Sequence, residues 1–162
     1  MTAGQTTLTL TSPAFEPGQR IPTEYTKDGR NISPSLFWGE VPPGTESLAL
    51  ICEDPDAPRG MFAHWVAFNL PAGTRSLPAG VPTEPTLPDG TVQGTNDTGT
   101  TGYTGPAPPP GKPHRYFFHL YALETRLRLP AGVSREQLMV AIQEARVMGK
   151  GELMGTYGRS GG

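Results

Sequence analysis

The sequence predicts one mainly β domain with a single helix near its C-terminus, and three observations carry that prediction. Short runs rich in β-branched and aromatic residues alternate with Gly/Pro clusters, several of those runs are apolar on both faces, and only one segment has helical periodicity. At 162 residues the chain is most economically a single domain, 1–162, long enough to bury a core without disulfides or a metal.

In chain order, TTLTLTS (6–12) alternates polar and apolar residues, as a half-buried strand does. SLALICE (47–53) and HWVAFNL (64–70) are nearly continuous apolar runs of strand length bounded by turn signals, which places both in the middle of a sheet. The 43 residues 71–113 hold eight glycines and ten prolines with little apolar periodicity, and too little chain follows them to form a second core. Long irregular segments of compact domains are usually either functional or disordered. We divide this one into a flexible surface excursion (72–87) and a site-forming loop (94–113) that feeds the next strand. That strand, HRYFFHLYALE (114–124), is the strongest in the chain, apolar on both faces and expected to be covered on both. In VSREQLMVAIQEARVMGKGE, Ser134 and Gln137 form an S-x-x-Q capping box, and Leu138, Ile142 and Ala145 share a face, with Gly149 or Gly151 to end the helix. ELMGTYG (152–158) then returns as a short edge strand, and RSGG (159–162) frays.

The charge pattern excludes one large class of function. Thirteen Lys+Arg against fifteen Asp+Glu give a net charge of -2 with no basic run, so the chain lacks the electrostatic footprint of a nucleic-acid binder. Cys52 is the one cysteine and cannot form an intrachain bridge; in its strand-like run it reads as a small buried residue. MTAGQTTLTL lacks the basic-then-apolar pattern of a secretory signal, and the apolar runs are too short to cross a bilayer. A cytoplasmic protein with no integral membrane segment is expected.

The chemistry concentrates in CEDPDAPRGMFAHW (52–65). Pro55 and Pro58 stiffen the loop, so Asp54 and Asp56 are held at the end of a buried strand without help from a ligand. If the loop stays extended, the two carboxylates point to one side and repel, unless cations or donors offset them. The plainer alternative is an Asx turn closing a strand connection. His64 and His114 each begin a strand, and Tyr116 shares a face with His114. Each histidine taken alone is more often structural or merely exposed, and His119, in mid-strand, keeps that reading.

Three stretches together resemble a known family. SPSLFW (33–38), DPDAP followed by HWVAFN, and GTNDTGTTGYTGPAPPPGKPHRYFFHLYAL are similar, in that order, to the signatures of the phosphatidylethanolamine-binding proteins, in their bacterial Raf-kinase-inhibitor-like branch. The resemblance runs from about residue 9 to 157. It implies an antiparallel, sandwich-like β fold with a small pocket at one end for phosphate, a phosphoethanolamine-like headgroup or another small anion. It places Asp54, Asp56, His64, Gly105, Pro106, His114 and Tyr116 at that pocket. Thr98 and Ala107 depart from the pattern, standing where an aromatic and often a cysteine are expected.

Read physically, backbone N–H groups near Gly105, a protonated histidine and the Tyr116 hydroxyl would hold the anion's oxygens, while the aspartates orient a histidine or accept an ammonium group. Three rival readings compete. Two acids and two histidines would serve phosphoester hydrolysis, but no Ser or Cys sits in a nucleophile context and GPAPPPGKP is not a P-loop. A His/Asp metal site lacks the usual H-x-H or H-x-x-x-H spacing. A regulatory protein acting on a kinase or other enzyme is encouraged by the resemblance alone. The expectation is therefore an anion-binding, non-enzymatic, regulatory protein without cofactor or metal; the resemblance to the bacterial branch, together with a surface short of Lys and Arg that tolerates self-contact, implies a homodimer.

Overall fold

The computed structural model describes residues 6–159, and β3 (Ser47–Asp54) is its axis. Buried along its whole length, β3 runs antiparallel to β4 (Phe62–Pro71) on one side and to β7 (His114–Leu123) on the other. Because both neighbours oppose it, β4 and β7 begin at the end where β3 finishes. The sheet extends through β6 (Val92–Gln93) beyond β4 and through β8 (Val147–Tyr157) and β1 (Thr6–Leu8) beyond β7, in the order β1-β8-β7-β3-β4-β6. Two short strands, β2 (Leu36–Phe37) and β5 (Ser76–Leu77), form a separate antiparallel ribbon. The mainly β class and the central triplet are as the sequence predicts.

Side chains alternate across the sheet and fill two cores. Leu48, Leu50 and Cys52 of β3 join Tyr116, Phe118 and Leu120 of β7 in a core closed by Leu36, Trp38 and Leu77. Ala49 and Ile51 join Phe68, Tyr121 and Leu123 in a second core beneath the helix α1 (Arg135–Glu144). The helix starts where its capping box dictates: Ser134 accepts from the Gln137 N–H and Gln137 reaches back to the Ser134 N–H. Its buried residues are Leu138 and Ile142, four apart on one face. No helix among the described residues is long and apolar enough to cross a membrane.

Six expectations need correction. The sheet is mixed, since β1 pairs parallel with β8. The 6–12 strand stops at Leu8, and Thr11 exchanges two hydrogen bonds with Phe37 of β2 instead. Gly149 and Gly151 do not end the helix, which stops at Glu144 with Ala145 extended; they lie in β8, where a Cβ on Gly151 would come 2.8 Å from the Leu8 carbonyl oxygen. Their missing side chains give β1 its close seat. The return strand is neither short nor a free edge, because β8 pairs with the whole of β7, while its other side is taken by β1 at Gly149–Gly151 and by hydrogen bonds with Gly18, Gln19 and Ile21 at Met154 and Thr156. Finally, 72–87 is not a free excursion: Leu77 and Val81 reach the core, and Ser33 accepts the N–H groups of Gly80 and Val81 through its carbonyl and hydroxyl. The outer face of β7 is also less covered than its composition suggests, with Arg115 exposed and Phe117 and His119 half-buried. Of the fraying expected at 159–162, all but Arg159 lies outside the described residues.

Candidate functional site

A cavity of about 160 Å³ opens where β3 ends and β4 and β7 begin. Strand polarity brings Asp54, His64, His114 and Tyr116 there together, and the 94–113 loop closes one side with Gly105, Ala107, Pro108 and Pro109. His114 and Tyr116, two apart on β7, stack with ring centroids 6.5 Å apart.

His64 arrives by a device that alternation alone does not reveal. Trp65 and Ala67 face the first core, whereas Ala63, Val66 and Phe68 face the second. Strict alternation would send His64 towards the helix. Opposite Cys52 and Glu53, however, β4 pairs through Trp65 and then Ala63, so it carries one extra residue. This bulge brings His64 round to the pocket beside Tyr116, edge-on at 5.2 Å. Its Nδ1 donates to the Thr104 carbonyl at 2.7 Å. Burial pushes the imidazole pKa down, against the opposing effect of that hydrogen bond, and the ring is neutral at neutral pH.

Asp54 combines the two roles between which the sequence leaves a choice. One carboxylate oxygen accepts the Asp56 N–H at 2.7 Å, an Asx turn that shapes the DPDAP loop. The other accepts Nδ1 of His114 at 2.7 Å, fixing that ring with Nε2 away from the carboxylate. Asp56 does not join it. The turn swings its side chain outward to a bidentate pair with Arg115, at 2.9 Å for both hydrogen bonds, and the Arg115 N–H adds a third. Those bonds from Arg115, outweighing the little burial there is, lower the Asp56 carboxyl to about 2. The expected shared side and mutual repulsion are thereby removed.

Gly105 also has a different job from the expected one. Its N–H donates to the Asn31 side chain at 2.6 Å and is not free for a ligand. A Cβ there would collide with the Tyr25 carbonyl oxygen and with Asn31 Oδ1. Pro106 is buried outside the cavity lining, and its carbonyl accepts the Lys27 N–H at 3.0 Å. The proline-rich wall is therefore poor in N–H donors. Ligand-facing donors must come from side chains: Tyr116, whose phenol pKa burial and then the Asp54 charge push up, His114 when protonated, and Lys27 on the rim.

Sequence reasoning missed Lys27 and Phe62, which line the cavity, and the groups that hold its rim. Asn96 gathers the loop: its side chain accepts from the Thr98 and Thr100 N–H groups and donates to Thr100 Oγ1 and the Gly102 carbonyl. Arg159 makes two hydrogen bonds to Asp28, of 3.0 and 2.8 Å, and a third, of 3.2 Å, to the Pro108 carbonyl, tying the Lys27 segment to the proline wall. The N-D-T-G stretch, a turn signal, is the local feature from which Asn96 could have been found. The others depend on contacts between distant segments. Thr98 and Ala107, the two departures from the expected pattern, do line the cavity, which leaves that part of its mouth small and uncharged.

Comparison with known proteins agrees with this architecture. A UPF0098 protein of Methanothermobacter thermautotrophicus is 52% identical over 152 residues, covering 94% of this chain and 99% of that one. The crystal structure of Escherichia coli YbcL, described as a member of the mammalian PEBP family, superposes with a TM-score of 0.88 at 34% identity, over 94% of this chain and 99% of YbcL. A phosphatidylethanolamine-binding protein homologue from Chlamydia trachomatis gives 0.85 at 38% identity, over 96% and 100%. The sequence pattern of the phosphatidylethanolamine-binding protein family matches residues 11–158, and the chain belongs to that family.

Proposed function

We propose that the cavity binds a small oxyanion, phosphate or a phosphoethanolamine-like headgroup, and that the protein acts by binding and not by catalysis. The observation that carries this reading is His114: buried, tied at Nδ1 to Asp54, and left with Nε2 for a ligand in a cavity whose rim carries Lys27. When protonated, His114 donates from both nitrogens, one to Asp54 and one to the anion. The hydrolytic alternative has less support, because Asp56 faces Arg115 and the paired acids do not converge on a common substrate.

Calorimetric titration with phosphate and with phosphoethanolamine, at a pH below and a pH above the histidine range, tests the reading. Affinity is expected to be higher at the lower pH. His114→Ala is expected to lose about 1.5–3 kcal/mol of binding free energy, the worth of a hydrogen bond to a charged group. No binding at either pH, or unchanged affinity in the variant, refutes the anion pocket.

A regulatory role towards a kinase or another enzyme, a cytoplasmic location and a homodimeric state belong to the same proposal. Pull-down with and without phosphate tests the first, fractionation the second and sedimentation at several concentrations the third.

A further inference from the structure

The hydrogen-bond roles of the two histidines bear on which oxyanion the cavity accepts. His64 and His114 both commit Nδ1 to an oxygen of the protein, the Thr104 carbonyl for His64 and the Asp54 carboxylate for His114, each at 2.7 Å. An oxygen acceptor fixes the proton on Nδ1, and the two nitrogens of an imidazole point in nearly opposite directions. In neutral His64, Nε2 is then an acceptor on the side of the ring opposite the Thr104 carbonyl, and the one hydrogen bond the ring makes among the described residues is at Nδ1. Burial keeps that ring neutral, and the charged groups facing it, Lys27, Asp54 and Asp97, act in opposing directions. Among the other polar groups lining the cavity, Asp54 has one oxygen engaged by the Asp56 N–H and the other by His114, the Thr98 hydroxyl can donate or accept, and Tyr116, Lys27 and, when protonated, His114 supply donors.

We infer that the cavity selects an oxyanion bearing its own proton, hydrogen phosphate in preference to sulfate, because His64 Nε2 requires a donor from the ligand while the rest of the site supplies donors to it. The inference rests on the anion-pocket reading above and sharpens it. Sulfate and phosphate have the same tetrahedral shape and nearly the same size. Inorganic phosphate keeps at least one proton throughout the neutral range, whereas sulfate keeps none. Bound sulfate would set an oxygen lone pair against the Nε2 lone pair, leaving a buried acceptor unsatisfied. A phosphodiester has the same deficiency at its phosphate, although an attached ammonium could make the donation instead. A phosphomonoester satisfies His64 in its singly protonated form, which predominates only below a second pKa of about 6.

Titrations at pH 7.5 with inorganic phosphate, sulfate and glycerophosphoethanolamine, on the parent protein and on His64→Gln, test this. Phosphate is expected to bind about 10- to 100-fold more tightly than sulfate and than the diester. In His64→Gln, whose amide can turn either its oxygen or its nitrogen to the ligand, the phosphate-to-sulfate ratio should fall to within about threefold. Should the variant fail to fold, the parent protein's ratio decides by itself. Equal affinity for phosphate and sulfate overturns the inference and leaves the anion pocket standing. A diester bound as tightly as phosphate assigns the donor to an ammonium group and overturns it too. Failure of all three to bind removes both readings.

Discussion

Replacing Gly105 by alanine tests whether that glycine serves packing or ligand binding. The added Cβ would meet the Tyr25 carbonyl oxygen, and it would lie 2.8 Å from both Asn31 Oδ1 and Thr26 Cα. Ordinary contact lies near about 3.5 Å, so the loop and the 25–31 segment must part by at least roughly 0.7 Å, and by more at the Tyr25 carbonyl, the tightest of the three contacts. That movement stretches the Gly105 N–H bond to Asn31, now 2.6 Å, and the neighbouring Lys27 N–H bond to Pro106, now 3.0 Å. Overpacking of this kind costs about 1–3 kcal/mol, and a weakened hydrogen bond adds about 0.5–1.5 kcal/mol. A total of about 2–4 kcal/mol lowers the midpoint of thermal unfolding of a chain this size by roughly 5–15 °C. The assay is thermal denaturation of Gly105→Ala and of the parent, without added anion. An unfolding midpoint within 2 °C of the parent would refute the packing role and restore the view that Gly105 exists to offer its N–H to a ligand.

Two further outcomes follow from the same geometry. Burial pushes the Cys52 thiol well up, with Glu53 and Asp54 adding to the effect, so the native protein should resist thiol reagents at pH 8 until denaturant is added; rapid labelling of the folded chain would contradict this. Asp56→Asn removes a partly exposed pair with Arg115 and should cost no more than about 1 kcal/mol, read as a small shift of the urea midpoint, because solvent screens such pairs.

Much of the fold could be read from the residues because its signals are local. The doubly apolar runs around Leu50, Trp65 and Phe118 identified the central strands, and Ser134 with Gln137 marked the helix start. The glycines of β8 misled because glycine is a common helix stop, and only the presence of β1 against Gly149 and Gly151 explains them otherwise. At the site, the strand-end positions of Asp54, His64 and His114 were legible, since antiparallel order brings those strand ends together, but the bulge in β4 that turns His64 to the pocket face was not. The outward turn of Asp56 depends on Arg115, and the use of the Gly105 N–H depends on Asn31, whose backbone is left-handed at φ 57°. These are contacts across dozens of residues, and neither spacing nor composition encodes them.

The end of β3 places two carboxylates back to back. Asp54 turns to the pocket and His114, while Glu53 turns to the opposite face, where Arg135 of α1 and His119 of β7 meet it. Burial acts to raise the Glu53 carboxyl, but the hydrogen bonds from His119 and Arg135 outweigh it and hold the pKa below the ordinary value. Glu53 therefore contributes stability that is fully present above its unfolded pKa, about 4.3. That contribution fades as pH falls through the lower folded value. Glu53→Gln should accordingly be markedly less stable than the parent at pH 7, because it leaves Arg135 without its carboxylate where the helix meets the sheet. As the parent's own carboxylate becomes protonated, the difference should narrow. Urea unfolding of both proteins at pH 7 and pH 3 measures the two gaps. A gap that is the same at both pH values would show that the cluster acts by packing and that its charge contributes nothing to joining the helix to the strand beneath it.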